Sequence, residues 1–247
     1  MYIKRSLLGL LSIFIVFSGW LYFLSTLFTT EENQLHFPHD LEDLKEITGI
    51  LQHLKQENFA LVMMLFCSAY IYKQTFAIPG SVFMNILAGA LFGIWVAFPL
   101  VCCLTTIGAS CCFLLSRMFG RQILMQKFPD RLLQLQAKVK DNEDRLLFFL
   151  LSARFFPMSP NWFLNMASPI IGVPILLFSL SVFVGLMPYN FVCVQTGSVL
   201  SSMASLDDVF STSTMLGLFF VAIAVFLPGV VLRKISSKHF VEQSMWI

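Results

Sequence analysis

The stretch FALVMMLFCSAYIY, residues 59–72, is as apolar as a lipid tail, yet it is too short to cross a bilayer. A spanning helix needs about 20 apolar residues, and Lys73 stops this one after 14. The chain then turns through QTFAIPGS and resumes as VFMNILAGALFG (82–93), again about half the required length. The same arrangement returns further on: LLFFLLSARFF (146–156), a break at PMSP, and NWFLNMASPIIG (161–172). Non-helical backbone at bilayer depth is tolerated only where protein covers it or a polar cavity solvates it. Two half-length pairs, each broken at proline, therefore predict two re-entrant helical hairpins.

Around these hairpins lie segments of full length: Leu7 to Phe28, Ile94 to Ser116 (tolerating Pro99 and Gly108), Val173 to about Val199, and Thr214 to Leu232. With 57% of residues hydrophobic and only 12% charged, against about a quarter charged in soluble domains, the fold class is an all-α integral membrane protein. It is an inverted repeat of two opposed re-entrant hairpins, with about four full transmembrane helices. Two amphipathic helices are expected to lie on the membrane surface. One starts after Asp40, with Leu44, Ile47, Leu51 and Leu54 on one face; the other starts near Pro129, with Phe128, Leu132, Leu135 and Val139. The organisation reads as an anchor at 1–28, an acidic segment at 29–58, a membrane domain at 59–234 and a tail at 235–247. The first run is longer than a signal-peptide core and reads as an uncleaved anchor, with cleavage after Gly19 as the alternative.

Charge sets the topology. Residues 29–58 carry seven acids against two lysines, and 117–145 carry seven Lys or Arg against four acids. Under the positive-inside rule, Lys4, Arg5, the 117–145 segment and the tail with Arg233, Lys234 and Lys238 fall in the cytosol. The acidic segment and Asp207–Asp208 fall in the lumen. Both termini are then cytosolic, and the hairpins enter from opposite faces. That arrangement places a site near the midplane in several transporter folds.

The hairpins match each other once one residue of gap is allowed after the proline. Lys73 lies six residues before Pro79, and Arg154 six before Pro160; Phe-x-Asn follows each proline, ending at Asn85 and Asn165; Gly93 and Gly172 close the units.

FAIPGSVFMNILAGALFG and ARFFPMSPNWFLN, with a final span and a basic tail, resemble the DedA-like superfamily, whose shared module is also called the VTT or SNARE-associated Golgi protein domain. SPNWFLNMASP and GLMPYNFVCVQTGS are most similar to its transmembrane protein 41 branch. The resemblance covers about residues 59–234. It implies facing re-entrant loops, an endoplasmic reticulum or other endomembrane location, phospholipid scrambling, and partners in membrane trafficking or autophagy. Bacterial members resembling this family carry an acid after the first Pro-Gly and an arginine after the second loop's proline. Here Ser81 and Pro160 stand in those places.

No Asp or Glu occurs between residues 58 and 129 or between 145 and 206, and all four histidines lie outside the core. Proton coupling needs an intramembrane group that titrates, so passive movement is favoured. A charge at a helix centre costs about 2.5–3.5 kcal/mol on insertion scales, and arginine suits a phosphate because it is always charged and binds bidentately. The expected headgroup-binding set is Lys73, Pro79, Ser81, Asn85, Arg154, Pro160, Asn161 and Asn165. Together with Gln74, Thr75, Ser159 and Ser168, these would line one wet furrow between the hairpin tips.

Architectural readings stand beside this one. Arg154 would cap a half-helix, Lys73 would snorkel, and the two asparagines would bond neighbouring helices. Two functional rivals use the same fold: a small-solute or ion transporter, and a scaffold for trafficking partners on the basic 117–145 face. The six cysteines sit in apolar segments and read as small hydrophobes. HFPHD (36–40) reads as a surface loop rather than a metal site, and Trp162 as a packing or interfacial anchor. No nucleophile–base pair, cofactor loop, metal cluster or nucleic-acid platform is present in the sequence pattern. The expectation is a non-enzyme without a cofactor, of unassigned oligomeric state.

Overall fold

The computed structural model describes residues 2–27, 36–155 and 160–202. The expected span at 214–232, the Asp207–Asp208 loop, the tail and residues 156–159 of the second break lie outside the described residues. Helix α1 (Tyr2–Thr26) forms from the first apolar run, and from residue 8 onward most of its side chains, including Leu8, Leu11, Ile15 and Val16, face outward. One edge of it meets α3 (Phe59–Thr75): the Phe14 ring packs on Tyr72 and Phe76, and Ser18 shares a 2.9 Å hydrogen bond with the Tyr72 hydroxyl.

Between them runs α2 (Leu41–Glu57), which starts where the acids predict. The Asp40 carboxylate accepts from the amides of Glu42 and Asp43, satisfying two donors that a helix start leaves free. The corner into α3 is made by one residue: Asn58 donates its amide to Leu54 and accepts from the Leu61 amide with its side chain. The apolar stripe of α2 does not face lipid as expected. Leu44, Ile47 and Leu51 are buried against Val62 and Phe66 of α3 and against Met84 and Leu87 of α4. An apolar stripe satisfies itself equally on oil or on protein, and here protein is within reach.

Helix α4 (Ser81–Leu115) contains a break at Gly93, where φ 71° and ψ 164° are far from helical. Only glycine adopts that backbone without a steric penalty. The break divides α4 into 81–92 and 94–115, the two pieces read from the sequence. The turn from α3 into α4 uses Ala77 (φ 53°) and Gly80 (φ 94°). The rings of Phe59 and Phe92 meet at 6.0 Å, so the entrance of α3 and the end of the 81–92 piece return to the same level as an antiparallel hairpin.

Beyond Leu115 the helix does not stop as the sequence suggested. A π-helical turn (Ser116–Gly120) carries it into α5 (Arg121–Lys127), and α6 (Pro129–Asp141) follows with proline at its first position. As in α2, the apolar face of α6 is turned to protein, with Leu132 and Val139 buried in a second core that includes Phe113, Leu150, Phe163, Phe178 and Val182.

Helix α7 (Leu146–Phe155) leads to α8 (Asn161–Ala167), shorter than the expected 161–172 piece because Pro169 withholds the next amide. Gly172 then turns with φ 87°. The expected single span at 173–199 is two helices, α9 (Ile175–Gly185) and α10 (Met187–Ser202), bent by 41°. Pro188 explains the bend, since its ring excludes the carbonyl one turn earlier. Among the described residues two helices, α1 and α4 with its extension, are long and apolar enough to cross a membrane, and α9 with α10 makes a third if the bent pair is one span.

The closest helix contact joins α10 to the 81–92 piece. A methyl group at Gly89 would land on the carbonyl oxygen of Val194, and one at Gly197 on that of Ile86. The two backbones touch, as small residues permit between membrane helices. Replacing Gly197 with valine should destabilise the protein by about 3 kcal/mol, the upper range for overpacking. Gly19→Ala, with nothing within 4 Å of its Cβ, should be neutral. Thermal unfolding of the two variants in detergent checks the contrast.

Candidate functional site

On either side of the second break, Arg154 of α7 meets Asn161 and Asn165 of α8. Arg154 ends α7 and is 6% exposed. Its Nε donates to Ser181 Oγ at 3.1 Å, Nη1 to Asn161 Oδ1 at 3.4 Å and Asn165 Oδ1 at 3.3 Å, and Nη2 to Asn165 Oδ1 at 3.4 Å. The guanidinium lies 4.9 Å from the centre of the Phe178 ring, a cation–π contact that strengthens where water is absent. Gly185 leaves room for the stem, because a methyl there would come within 3.1 Å of Arg154 Cβ. Every oxygen partner is neutral and every bond is on the long side. The site therefore solvates the charge without neutralising it. Pro160 is exposed at the start of α8.

The first hairpin is arranged differently. Lys73 is 4% exposed and lies 5.1 Å from the centre of the Phe37 ring. Among the described residues its ammonium donates no hydrogen bond and has no acidic neighbour. Gly80 makes space for it, with Lys73 Nζ 3.1 Å from where a Cβ would be. Pro79 is exposed at the tip, and Ser81 is half-buried in the first turn of α4.

Asn85 does not join Lys73. It is 1% exposed and belongs to a closed ring of hydrogen bonds. Thr105 bonds the Tyr70 hydroxyl at 2.7 Å, Tyr70 donates to Asn85 Oδ1 at 2.7 Å, Asn85 Nδ2 donates to Asn190 Oδ1 at 3.0 Å, and Asn190 Nδ2 returns to Thr105 at 3.5 Å. Such a ring in a low-dielectric interior is mutually reinforcing, and it ties α3, both pieces of α4 and α10 together.

The single open furrow expected between the tips is thus not what the described residues form. Arg154, Asn161 and Asn165 form one group and Asn85 belongs to another, with Lys73 apart from both. Burying a polar group without a hydrogen bond is costly, so the asparagines are held by close partners on neighbouring helices and do not face one open furrow. Where hairpin one approaches the second half, a cavity of about 130 Å³ is lined by Thr75, Phe76, Ala77, Ser116 and Met166 among others. Thr75 Oγ1 is a buried polar atom there without a partner.

Sequence reasoning missed Tyr70, Thr105, Asn190, Ser181 and Phe178. The signal for Asn190 was present, an amide two residues after a proline in an apolar run. Nothing in the linear pattern pairs Ser181 with Arg154.

A VTT domain model matches residues 78–199. A transmembrane protein 41 homolog of Caenorhabditis elegans is 34% identical over 226 residues, covering 92% of this chain and 90% of that protein. Transmembrane protein 41B of Xenopus laevis is 33% identical over 240 residues, covering 95% and 86%. A homolog of Dictyostelium discoideum is 35% identical over 201 residues, covering 81% of this chain and 60% of the longer protein. No solved structure matches the chain.

Asn165→Leu should lower stability by about 1.5–3 kcal/mol, the worth of a hydrogen bond to a charged group. Arg154→Lys should not substitute, since one ammonium cannot reach Ser181 and both asparagines as the planar fork does. Melting temperatures of the purified variants test both expectations.

Proposed function

The chain belongs to the transmembrane protein 41 family of VTT-domain membrane proteins, and from that premise we propose that it is a phospholipid scramblase of endomembranes, working without ATP. The observation that carries this reading is a pair of buried cations, Lys73 and Arg154, in matching hairpins of a membrane domain whose sequence holds no acid from 58 to 129 or from 145 to 206. Cations held in oil with no counter-ion among the described residues are ready to receive an anion, and the anion a bilayer supplies in quantity is phosphate.

On this reading the hairpins are re-entrant, entering from opposite leaflets with both chain termini cytosolic. The described arrangement is the closed one. Passage of a headgroup requires the two halves to part, and the void beside Thr75 marks where they meet. The headgroup then moves from one cation to the other while the tails stay in the bilayer. Pro79 and Pro160, exposed at the ends of the two breaks, and the flanking Ser81 and Asn161 belong to the same path. Asn165 holds the Arg154 fork in place, and Asn85 belongs to the ring that fixes hairpin one. The exposed cations Arg117, Arg121, Lys127 and Arg131, with exposed Met118, Met125 and Leu133, suit a cytosolic surface for trafficking or autophagy partners.

The test is reconstitution in liposomes with fluorescent phospholipid in both leaflets and a membrane-impermeant quencher. The wild type should accelerate leaflet exchange, and Lys73→Gln with Arg154→Gln should slow it at least tenfold, about 1.4 kcal/mol in barrier. Exchange no faster than in empty liposomes, or a double variant as active as wild type, would overturn the reading.

A further inference from the structure

A cavity of about 200 Å³ lies between α1, α2, α3 and the 81–92 piece of α4. Leu21, Leu51, Phe66, Met84 and Leu87 line it, and the Phe37 ring forms part of its wall. Protein interiors hold few voids larger than a water molecule. This one is several times a water's share of liquid volume, about 30 Å³. Most of its wall is apolar, with Tyr22, Ser25 and His36 as the polar liners, so the bulk of the space suits an apolar occupant better than water, which needs two to four polar partners. On the α1 side the cavity is lined by Leu21, Tyr22 and Ser25 of an apolar helix, and Tyr22 and Phe23 are exposed at that level, so its mouth lies on the outward apolar face of α1.

The Phe37 ring has a second neighbour. It lies 5.1 Å from Lys73 Nζ and stacks on Tyr72 with centroids 6.4 Å apart. Lys73 is a buried ammonium that donates no hydrogen bond among the described residues, so one ring separates an apolar cavity from a cation with three unused donors. Phe37 sits in the non-helical segment 36–39 ahead of α2, where no helix fixes its backbone.

We infer that this cavity is a resident site for an anionic glycerophospholipid, with an acyl chain in the cavity and the phosphate taking the place of the Phe37 ring over Lys73. The exchange replaces a cation–π contact with charge-assisted hydrogen bonds, the stronger interaction. Gly80 provides the headroom, since any side chain there would crowd Lys73 Nζ. The inference rests on reading Lys73 as a phosphate ligand, as the proposed function does, but it requires no movement between leaflets.

The experiment uses the full chain purified in detergent. Phosphatidic acid and phosphatidylcholine probes, each with a diazirine in the acyl chain, are photo-crosslinked and the labelled residues identified by mass spectrometry. Labelling is expected on the cavity wall, stronger for phosphatidic acid. Ala69→Trp, which fills the cavity, should reduce both signals at least tenfold. Lys73→Gln should reduce the phosphatidic acid signal at least fivefold and the phosphatidylcholine signal less than twofold. Phe37→Ala, which removes the wall without adding bulk, should raise phosphatidic acid labelling about threefold, and it decides the matter if Ala69→Trp fails to fold. Labelling outside the cavity, or unchanged by Lys73→Gln and Phe37→Ala, overturns the inference. Because no leaflets exist in detergent, that outcome leaves leaflet exchange in liposomes to be judged by its own assay.

Discussion

A helix that ends in oil must pass its last carbonyls to a donor, because no water is present to take them. The fold is organised around that obligation. The Gly93 break turns the following amides off the helix track, and the carbonyls of Ala90 and Leu91 are taken instead by Gln52 Nε2 and Lys55 Nζ of α2. In the other half, the Met166 carbonyl near the end of α8 accepts from Ser116 Oγ of the π-helical turn. The 81–92 piece and α8 are thus each closed by a side chain from a separate element. This gives α2 a role that its amphipathic sequence does not announce: it lies on the hairpin as a cap, with its apolar stripe buried and its polar residues at the break.

The places where the chain breaks were legible because breaking is a property of local chemistry. Pro79–Gly80, Gly93 and Gly172 all stop or turn helices where the half-length segments require it, and all three glycines have positive φ. The Asp40 cap and the Pro129 start were equally local. What an apolar stripe faces is decided by the rest of the chain, and both amphipathic helices turned out to cover protein. The bend before Pro188 was signalled by the proline but concealed by an apolar run long enough to span. Partners of polar residues were least legible. Asn190 reaches Asn85 across 105 positions, and no spacing rule extends that far.

The two hairpins share a pattern without sharing a chemistry. In one, the asparagine after the break accepts from the cation before it, Asn165 from Arg154. In the other, the corresponding Asn85 is held by Tyr70 and Asn190, and among the described residues Lys73 has an aromatic face in place of an oxygen. Sequence repetition fixed the positions of the polar groups, and helix rotation assigned their partners. A guanidinium with several short reaches is settled by neutral oxygens; an ammonium on a flexible stem is not.

The backbone contact between Gly89 and Gly197 has a mechanical meaning. With no side chains between them, the 81–92 piece and α10 sit backbone to backbone, and the hydrogen-bonded ring through Asn85 and Asn190 holds the same pair. Two interruptions flank this joined pair, Gly93 on one helix and the Gly185–Met187 bend on the other, so each member meets the rest of its own half through a break and its partner in the opposite half through bare backbone.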